Sequence, residues 1–230
     1  MMIRRTIGFI EALVIGLAVL SYGCAGMSSR SGQALSPAES AIREESRWFS
    51  ASNVQACLLM GAAAGGLCAL LGGNAAQCAL SAVAACGIGV GTNQYLQAKR
   101  QRYASQEQLL QALIADVNKE NQHAATLLTN TKDVIAQDLR KIEAIDQAFK
   151  ANRVSLTQAQ QELQSVDDNK AVLEKALAGM KEKEQSWREV APANPSPALD
   201  QEIGQLQGNI AALEQELRTL VERRNVSAVG

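Results

Sequence analysis

One stretch of the chain limits what the whole sequence can fold into. Between Trp48 and Ala98 there is no Asp, Glu, Lys, Arg or His, and the segment from Cys57 to Gly91 consists almost entirely of Ala, Gly, Leu, Cys and Val. A run of this length without charge must be covered by protein or by lipid. The organisation of the chain therefore depends on how this uncharged stretch is covered.

Glycines and an asparagine divide the uncharged stretch into two helical halves. The sequence Gly-Gly-Asn at 72–74 is typical of a turn, and it predicts antiparallel helices at about 54–71 and 75–96. Small residues at helical spacing predict a close-packed face between them: Gly61, Gly65, Gly73, Ala82, Ala85 and Gly89. This pattern resembles the glycine-zipper segments of bacterial envelope proteins.

Four cysteines in the same stretch predict two disulfide bonds. Facing residues of an antiparallel hairpin lie at similar distances from its turn, and the pairs Cys57–Cys86 and Cys68–Cys78 are nested around the turn in this way. Helices packed on glycine can bring the Cα atoms within the roughly 4.4–6.8 Å that a disulfide requires. The alternatives are buried free thiols or a metal site, but the spacing contains no Cys-x2-Cys, so we expect no metal.

The N-terminus has the three parts of a secretory signal. Arg4 and Arg5 precede an apolar run over residues 7–20, and Ser-Tyr-Gly then leads to Cys24. This arrangement resembles a bacterial lipoprotein signal, which implies removal of residues 1–23 and lipidation of Cys24. Ala25 after the cysteine implies sorting to the outer membrane, facing the periplasm. The alternatives are an ordinary cleaved signal and an uncleaved anchor helix.

Residues 24–47 predict a lipidated tether followed by a short helix. The early part is rich in serine, as flexible linkers are. Ser36-Pro37-Ala38-Glu39 then combines an N-cap, a proline at the first helical position and an acidic third residue. We expect this helix to end near Phe49, at the edge of the 48–98 hairpin region.

The second half predicts long helices with a 3.5-residue apolar period, which is typical of coiled coils. The expected helices are about 92–151, 155–190 and 198–224, within a coiled-coil domain over 99–224 that ends in a flexible tail, 225–230. Asn152 as a left-handed cap and Ser155-x-x-Gln158 as a capping box mark the first break. The prolines of 191–197 mark the second. The predicted seam positions step by fours and threes: 110, 114, 117, 121, 124, 128, 131, 135, 138, 142, 145 and 149 in the first helix, 156, 159, 163, 166, 170, 173, 177, 180, 184 and 187 in the second, and 199, 203, 206, 210, 213, 217 and 220 in the third. The fold class is thus all-α: a disulfide-stapled hairpin followed by a long antiparallel coiled coil.

Three polar residues, Asn121, Thr131 and Asp138, fall on the predicted apolar seam of the first of these helices. They either fix its register or are tolerated where the seam is wet. We expect His123 to be solvated or to flank the seam, and Trp187 to pack in the core.

We find no sequence signature of catalysis. No zinc-protease motif, nucleophile elbow, phosphate loop or dinucleotide fingerprint is present, so we expect no catalytic residue, cofactor or small-molecule substrate. A net charge of −1 gives no electrostatic reason to bind nucleic acid. The sequence favours a non-enzymatic envelope lipoprotein that scaffolds through self-association or an envelope partner. The alternative is a hairpin that inserts into the membrane, oligomerises and alters envelope permeability.

Overall fold

The computed structural model of the protein describes residues 34–50 and 92–229, and all regular structure in these residues is helical. This confirms the all-α expectation for the described part of the chain. Its α-helices are α1 (Pro37–Ser50), α2 (Thr92–Arg102), α3 (Gln106–Lys150), α4 (Leu156–Val190) and α5 (Pro197–Asn225), with a 3₁₀ turn, Ala191–Ala193, between α4 and α5.

The three long helices, α3, α4 and α5, pack together along their lengths. Near the end of α3, Lys141 donates to Ser165 at the start of α4, and near its beginning Glu120 pairs with Lys183 at the far end of α4. The helices α3 and α4 are therefore antiparallel. α5 returns antiparallel to α4, since Arg224 in its last turn pairs with Asp167 in an early turn of α4.

The apolar seam of α5 is confirmed at every predicted position. Its seven Leu and Ile residues are all buried: Leu199, Ile203, Leu206, Ile210, Leu213, Leu217 and Leu220. This regular apolar row gives α5 a continuous face against α3 and α4.

The seams of α3 and α4 follow the prediction only in part. In α3 most of the predicted positions from Val117 onward are buried, whereas Leu109, Leu113 and Leu127 are buried in place of the predicted Leu110, Ile114 and Leu128. In α4, Leu156 is exposed. At the predicted positions 170, 177 and 184 the preceding residue is buried instead: Asn169, Ala176 and Lys183. The shift in α4 brings polar side chains into the core, because other helices cover it from two sides.

The predicted single helix over 92–151 is wrong, because the chain breaks into α2 and α3 at residues 103–105. The Ser105 side chain accepts a hydrogen bond from the backbone N–H of Gln108, at 3.2 Å, and so caps the start of α3. The break lets α2 fold back onto α3 and α4 instead of extending away from them. It also explains the changed register of the first turns of α3.

The two predicted breaks, the first marked by caps and the second by prolines, are confirmed. Asn152 has a φ of 54°, the left-handed conformation expected after a helix end. Ser155 and Gln158 form a reciprocal capping box at the start of α4. Ser196 caps α5, and Pro197 occupies its first turn.

The residues after α5 turn back onto α3, where the sequence predicts a flexible tail over 225–230. The Ser227 hydroxyl donates to Asp146 at 2.6 Å, and the Ala228 backbone N–H donates to the same carboxylate at 3.0 Å. Val229 is buried. Asp146 of α3 therefore fastens residues 227–229 to the bundle.

Candidate functional site

Helices α1 and α2 both pack against α3 and α4, in what we call the α3–α4 groove. They are the described parts of the chain that flank residues 51–91, most of the uncharged stretch. The groove is therefore where the bundle meets the sequence's most unusual segment, and we treat it as the candidate functional site.

The start of α1 is fixed by a reciprocal cap, which confirms the predicted helix start. The Ser36 N–H donates to the Glu39 carboxylate at 2.7 Å, and the Glu39 N–H donates to the Ser36 hydroxyl at 3.2 Å. With Pro37 in the first helical position, both local sequence and hydrogen bonding begin the helix here.

Asn169 of α4 joins α1 to α3 through one buried amide. Its side-chain nitrogen donates to Glu39 of α1 at 3.1 Å and to Asp138 of α3 at 3.2 Å, and its oxygen accepts from Arg43 of α1 at 3.2 Å. Lys141 also acts electrostatically on Asp138. Two carboxyl groups from different helices thus share one amide donor.

The two carboxyl groups respond differently to this environment. The pKa of Asp138 is raised to about 6, chiefly by burial and in smaller part by the Glu39 charge, and the Asn169 hydrogen bond and Lys141 offset only part of this rise. Burial also raises the pKa of Glu39, but hydrogen bonds from Ser36 and Asn169 and the charge of Arg43 outweigh it and hold the pKa below its usual range.

A second polar contact holds the later turns of α1. Glu45 accepts a hydrogen bond from Nδ1 of His123 at 2.7 Å, and the His123 ring stacks on Trp48 with 3.9 Å between ring centroids. The Lys119 ammonium lies 4.6 Å from the centroid of the Trp48 ring. His123 is thus half-buried beside the seam residue Ala124, the second of the two predicted alternatives, and it is also a partner of α1.

The closest backbone approach in the groove lies at Gly179. A Cβ added there would lie 2.3 Å from the backbone oxygen of Phe49, far inside contact distance. Phe49 itself is fully buried. A glycine on α4 is therefore required for α1 to seat its last turn.

A buried ion pair lies just beyond Phe49. Glu120 of α3 accepts from Lys183 at 2.9 Å and from the indole N–H of Trp187 at 2.9 Å, so both of its oxygens are used. All three residues are buried. Trp187 is a core residue as predicted, but its partner, Glu120, is a charge within the core.

Helix α2 enters the groove beside this pair. The Tyr95 ring meets Trp187 edge to face, with 5.6 Å between ring centroids, and the Tyr95 hydroxyl donates to Asp116. Lys99, one turn later, pairs with the same Asp116 at 2.6 Å. Burial and the Asp116 charge raise the pKa of Tyr95 well above its usual value.

The end of α1 and the start of α2, which flank residues 51–91, meet the bundle at nearly the same height along α4. At the end of α1, the centroid of the Trp48 ring lies 5.4 Å from the Lys183 ammonium. Near the start of α2, the Tyr95 ring contacts Trp187. Lys183 and Trp187 are four residues apart on one helix, a rise of about 6 Å. The chain therefore leaves the groove and returns to it within about one helical turn.

The residues predicted as sites from the sequence lie outside the described residues. This holds for the lipidation site Cys24, for the pairs Cys57–Cys86 and Cys68–Cys78, and for the small packing residues Gly61, Gly65, Gly73, Ala82, Ala85 and Gly89. They stay predictions. Within residues 34–50 and 92–229, no helix has the length and apolarity to cross a membrane, and no His, Cys, Asp and Glu side chains cluster as a metal site would require.

Sequence reasoning finds some of the groove's residues and misses others. Asn121 and Asp138 stand out in the sequence as polar seam residues, and each bonds to another helix: Asn121 to Glu202 of α5, and Asp138 to Asn169 of α4. Thr131 is buried, and its hydroxyl has no partner among the described residues. Glu120 and Lys183 escape sequence reasoning because charged residues on helices usually face water, and no local signal distinguishes them.

Comparison with known proteins gives no relative from which a function could be transferred. No protein-family model, curated protein or solved structure matches this chain. The functional interpretation therefore depends on the chain's own residues.

Proposed function

We propose that the protein is a non-enzymatic envelope lipoprotein whose helical bundle grips both ends of the uncharged stretch and presents it for assembly. Cys24 would carry the lipid anchor, and the protein would face the periplasm from the outer membrane. The uncharged stretch would form the disulfide-stapled glycine-zipper hairpin and associate with a second copy or an envelope partner.

The observation that carries this proposal is the shared groove of α1 and α2. A segment whose two ends are fastened within about one helical turn of each other has to turn back on itself. The Gly-Gly-Asn sequence at 72–74 and the nested cysteines call for the same antiparallel path. Local sequence and the anchoring of the ends thus support one hairpin.

The surface of the bundle supports assigning assembly to the uncharged stretch rather than to the long helices. Among the described residues the large exposed apolar side chains are Leu35, Leu156 and Val226. They are scattered along the chain and form no row of the kind that a coiled-coil partner would cover. We therefore propose that α3, α4 and α5 serve as a closed, antiparallel coiled-coil-like support.

Assembly can be tested by replacing residues 51–91 with a short Gly/Ser linker. Because both ends meet the groove at the same level, the bundle should fold and keep its helical circular dichroism. Crosslinking with mass spectrometry in intact cells should then lose the higher-mass species that the wild-type chain gives. Unchanged crosslinked species would show that assembly does not need the uncharged stretch.

Membrane insertion is the second candidate, favoured by the absence of charge from Trp48 to Ala98. Carbonate extraction of a Cys24→Ser variant separates it from scaffolding, since this variant lacks the proposed lipid anchor. Release into the supernatant supports the scaffold, and retention in the membrane supports an inserted, oligomerising hairpin that alters permeability. Loss of a lipid mass adduct in Cys24→Ser relative to wild type tests the anchor itself.

A further inference from the structure

We propose that α1 is a proton-sensitive strap, which binds the α3–α4 groove more firmly as the surroundings become acidic. The strap is defined as residues 37–50. This inference is independent of lipidation and of assembly, since it concerns only contacts between described helices.

The geometry places like charges where α1 meets the groove. Glu39 of α1 and Asp138 of α3 accept hydrogen bonds from the same Asn169 nitrogen, so their carboxyl groups are neighbours in a partly buried site. Two ionised carboxylates in this position repel each other. The docked strap therefore favours the state in which Asp138 carries a proton.

The remaining charged groups around the strap offset this repulsion only in part. Arg43 donates to the oxygen of Asn169 and its charge favours the ionised form of Glu39, while the Lys141 ammonium, which bonds to Ser165, favours the ionised form of Asp138. On the other half of the strap, Glu45 faces His123, Lys119 and Lys183, the two lysines lying over Trp48.

The sign of the effect follows from Asp138. Burial and the neighbouring Glu39 raise the pKa of Asp138 from 3.8 to about 6, so the docked state binds a proton more readily than an undocked one. The stabilisation from this group is complete below the ordinary aspartate pKa and is lost as the pH rises through about 6. Docking is thus weaker at neutral pH than at pH 5.

The strap matters because it lies between the N-terminal residues and the uncharged stretch. When α1 is docked, the Glu39 carboxylate fastens its first turn to Asn169 of α4. When α1 is released, residues 37–50 are connected to the other helices only through residues 51–91 of the chain. A change in pH would therefore alter how firmly residues 37–50 are held to the bundle.

The test is hydrogen exchange of the full-length chain at pH 5.0 and 7.5, corrected for the intrinsic exchange rate at each pH. Peptides covering 37–50 should show about tenfold more protection at pH 5.0, if the whole change in the Asp138 pKa is tied to docking. Peptides from α5 serve as an internal reference and should change little. Equal protection of 37–50 at both pH values would overturn the proposal.

Three variants locate the effect. Asp138→Asn should keep the strap protected at both pH values, whereas Asp133→Asn, the same change at an exposed site on the same helix, should retain the wild-type pH dependence. Glu39→Gln removes the repulsion from the α1 side without touching the core, so it should weaken the dependence even if Asp138→Asn folds poorly. A full wild-type response in both Asp138→Asn and Glu39→Gln would refute the assignment.

Discussion

Helices α5 and α1 pack on the same two helices but are held by different forces. α5 buries a row of seven Leu and Ile residues. α1 buries two large apolar residues, Ile42 and Phe49, and depends otherwise on Asn169, His123 and a glycine opposite its last turn.

This difference suggests separate roles for the two helices: α5 stabilises the bundle, and α1 makes contacts that can be changed one at a time. Apolar burial adds up over many residues and depends little on the orientation of any one of them. Hydrogen bonds and ion pairs are directional, and the loss of one partner leaves the other unsatisfied. We infer that α5 determines whether the bundle exists, whereas the contacts of α1 determine whether residues 37–50 stay docked in the α3–α4 groove.

The largest effect is expected from breaking the buried ion pair beneath α1 and α2. Lys183→Met leaves Glu120 charged and without its cation, and should lower the free energy of unfolding by about 3–5 kcal/mol in urea titrations followed by circular dichroism. Combining it with Glu120→Gln should recover much of this loss. Lys181→Met, which breaks an exposed pair with Glu214, is the matched control and should cost less than about 1 kcal/mol. Equal losses at positions 181 and 183 would contradict the role of burial.

Two alanine substitutions compare the contribution of α5 to stability with that of α1. Leu206→Ala in α5 should lower the free energy of unfolding by about 2–5 kcal/mol and reduce the exchange protection of α3, α4 and α5 together. Ile42→Ala in α1 makes a similar cavity, but it should release mainly residues 37–50 and leave the unfolding of the three long helices nearly unchanged. If both variants destabilise all helices alike, α1 is an integral part of the bundle and not a separable strap.

Glycines on the two sides of the bundle give a third comparison. Gly179→Ala places a Cβ against the Phe49 backbone and should cost about 1–3 kcal/mol, with a selective loss of protection in α1. A Cβ added at Gly208 on α5 would meet nothing within 4 Å, so Gly208→Ala should raise stability by up to about 1 kcal/mol. Thermal unfolding of both variants checks the opposite signs, and a gain in Gly179→Ala would mean that α1 does not approach α4 so closely.

The parts of the fold that sequence reasoning predicts correctly are those set by local chemistry. Ser36 and Pro37 at the start of α1, Asn152 after α3, the Ser155 capping box and the seven apolar positions of α5 each carry their own signal within a few residues. Caps and apolar periodicity act over one or two turns, so they can be recognised without knowing the neighbours.

The groove could not be predicted, because its residues acquire their roles only from distant partners. Glu120 and Lys183 are 63 positions apart, and Glu39 and Asn169 are 130 apart. Each is an ordinary polar helix residue until a neighbouring helix excludes water from it. Gly179 is similar, since nothing near it in the sequence indicates that the backbone of Phe49 lies against it.

The break between α2 and α3 is the exception, because a local signal for it is present in the sequence. Ser105-x-x-Gln108 has the same pattern as Ser155-x-x-Gln158, but it lies in a run without Gly or Pro that also continues an apolar period. The cap predicts that a helix begins at this point, whereas the periodic seam predicts that one helix continues through it. The cap prevails because α2 gains more by folding back, where Tyr95 and Leu96 become buried.

The smallest predicted effect tests this last point. Ser105→Ala removes the acceptor for the Gln108 N–H and should cost about 1 kcal/mol, with faster amide exchange in the first turn of α3 and in α2. Ser105→Asp keeps an N-cap acceptor and should remain close to wild type in thermal unfolding. No measurable loss in Ser105→Ala would mean that the break is imposed by the packing of Tyr95 rather than by the cap. α2 would then be held as α5 is, by apolar burial, and α1 alone would depend on individually breakable polar contacts.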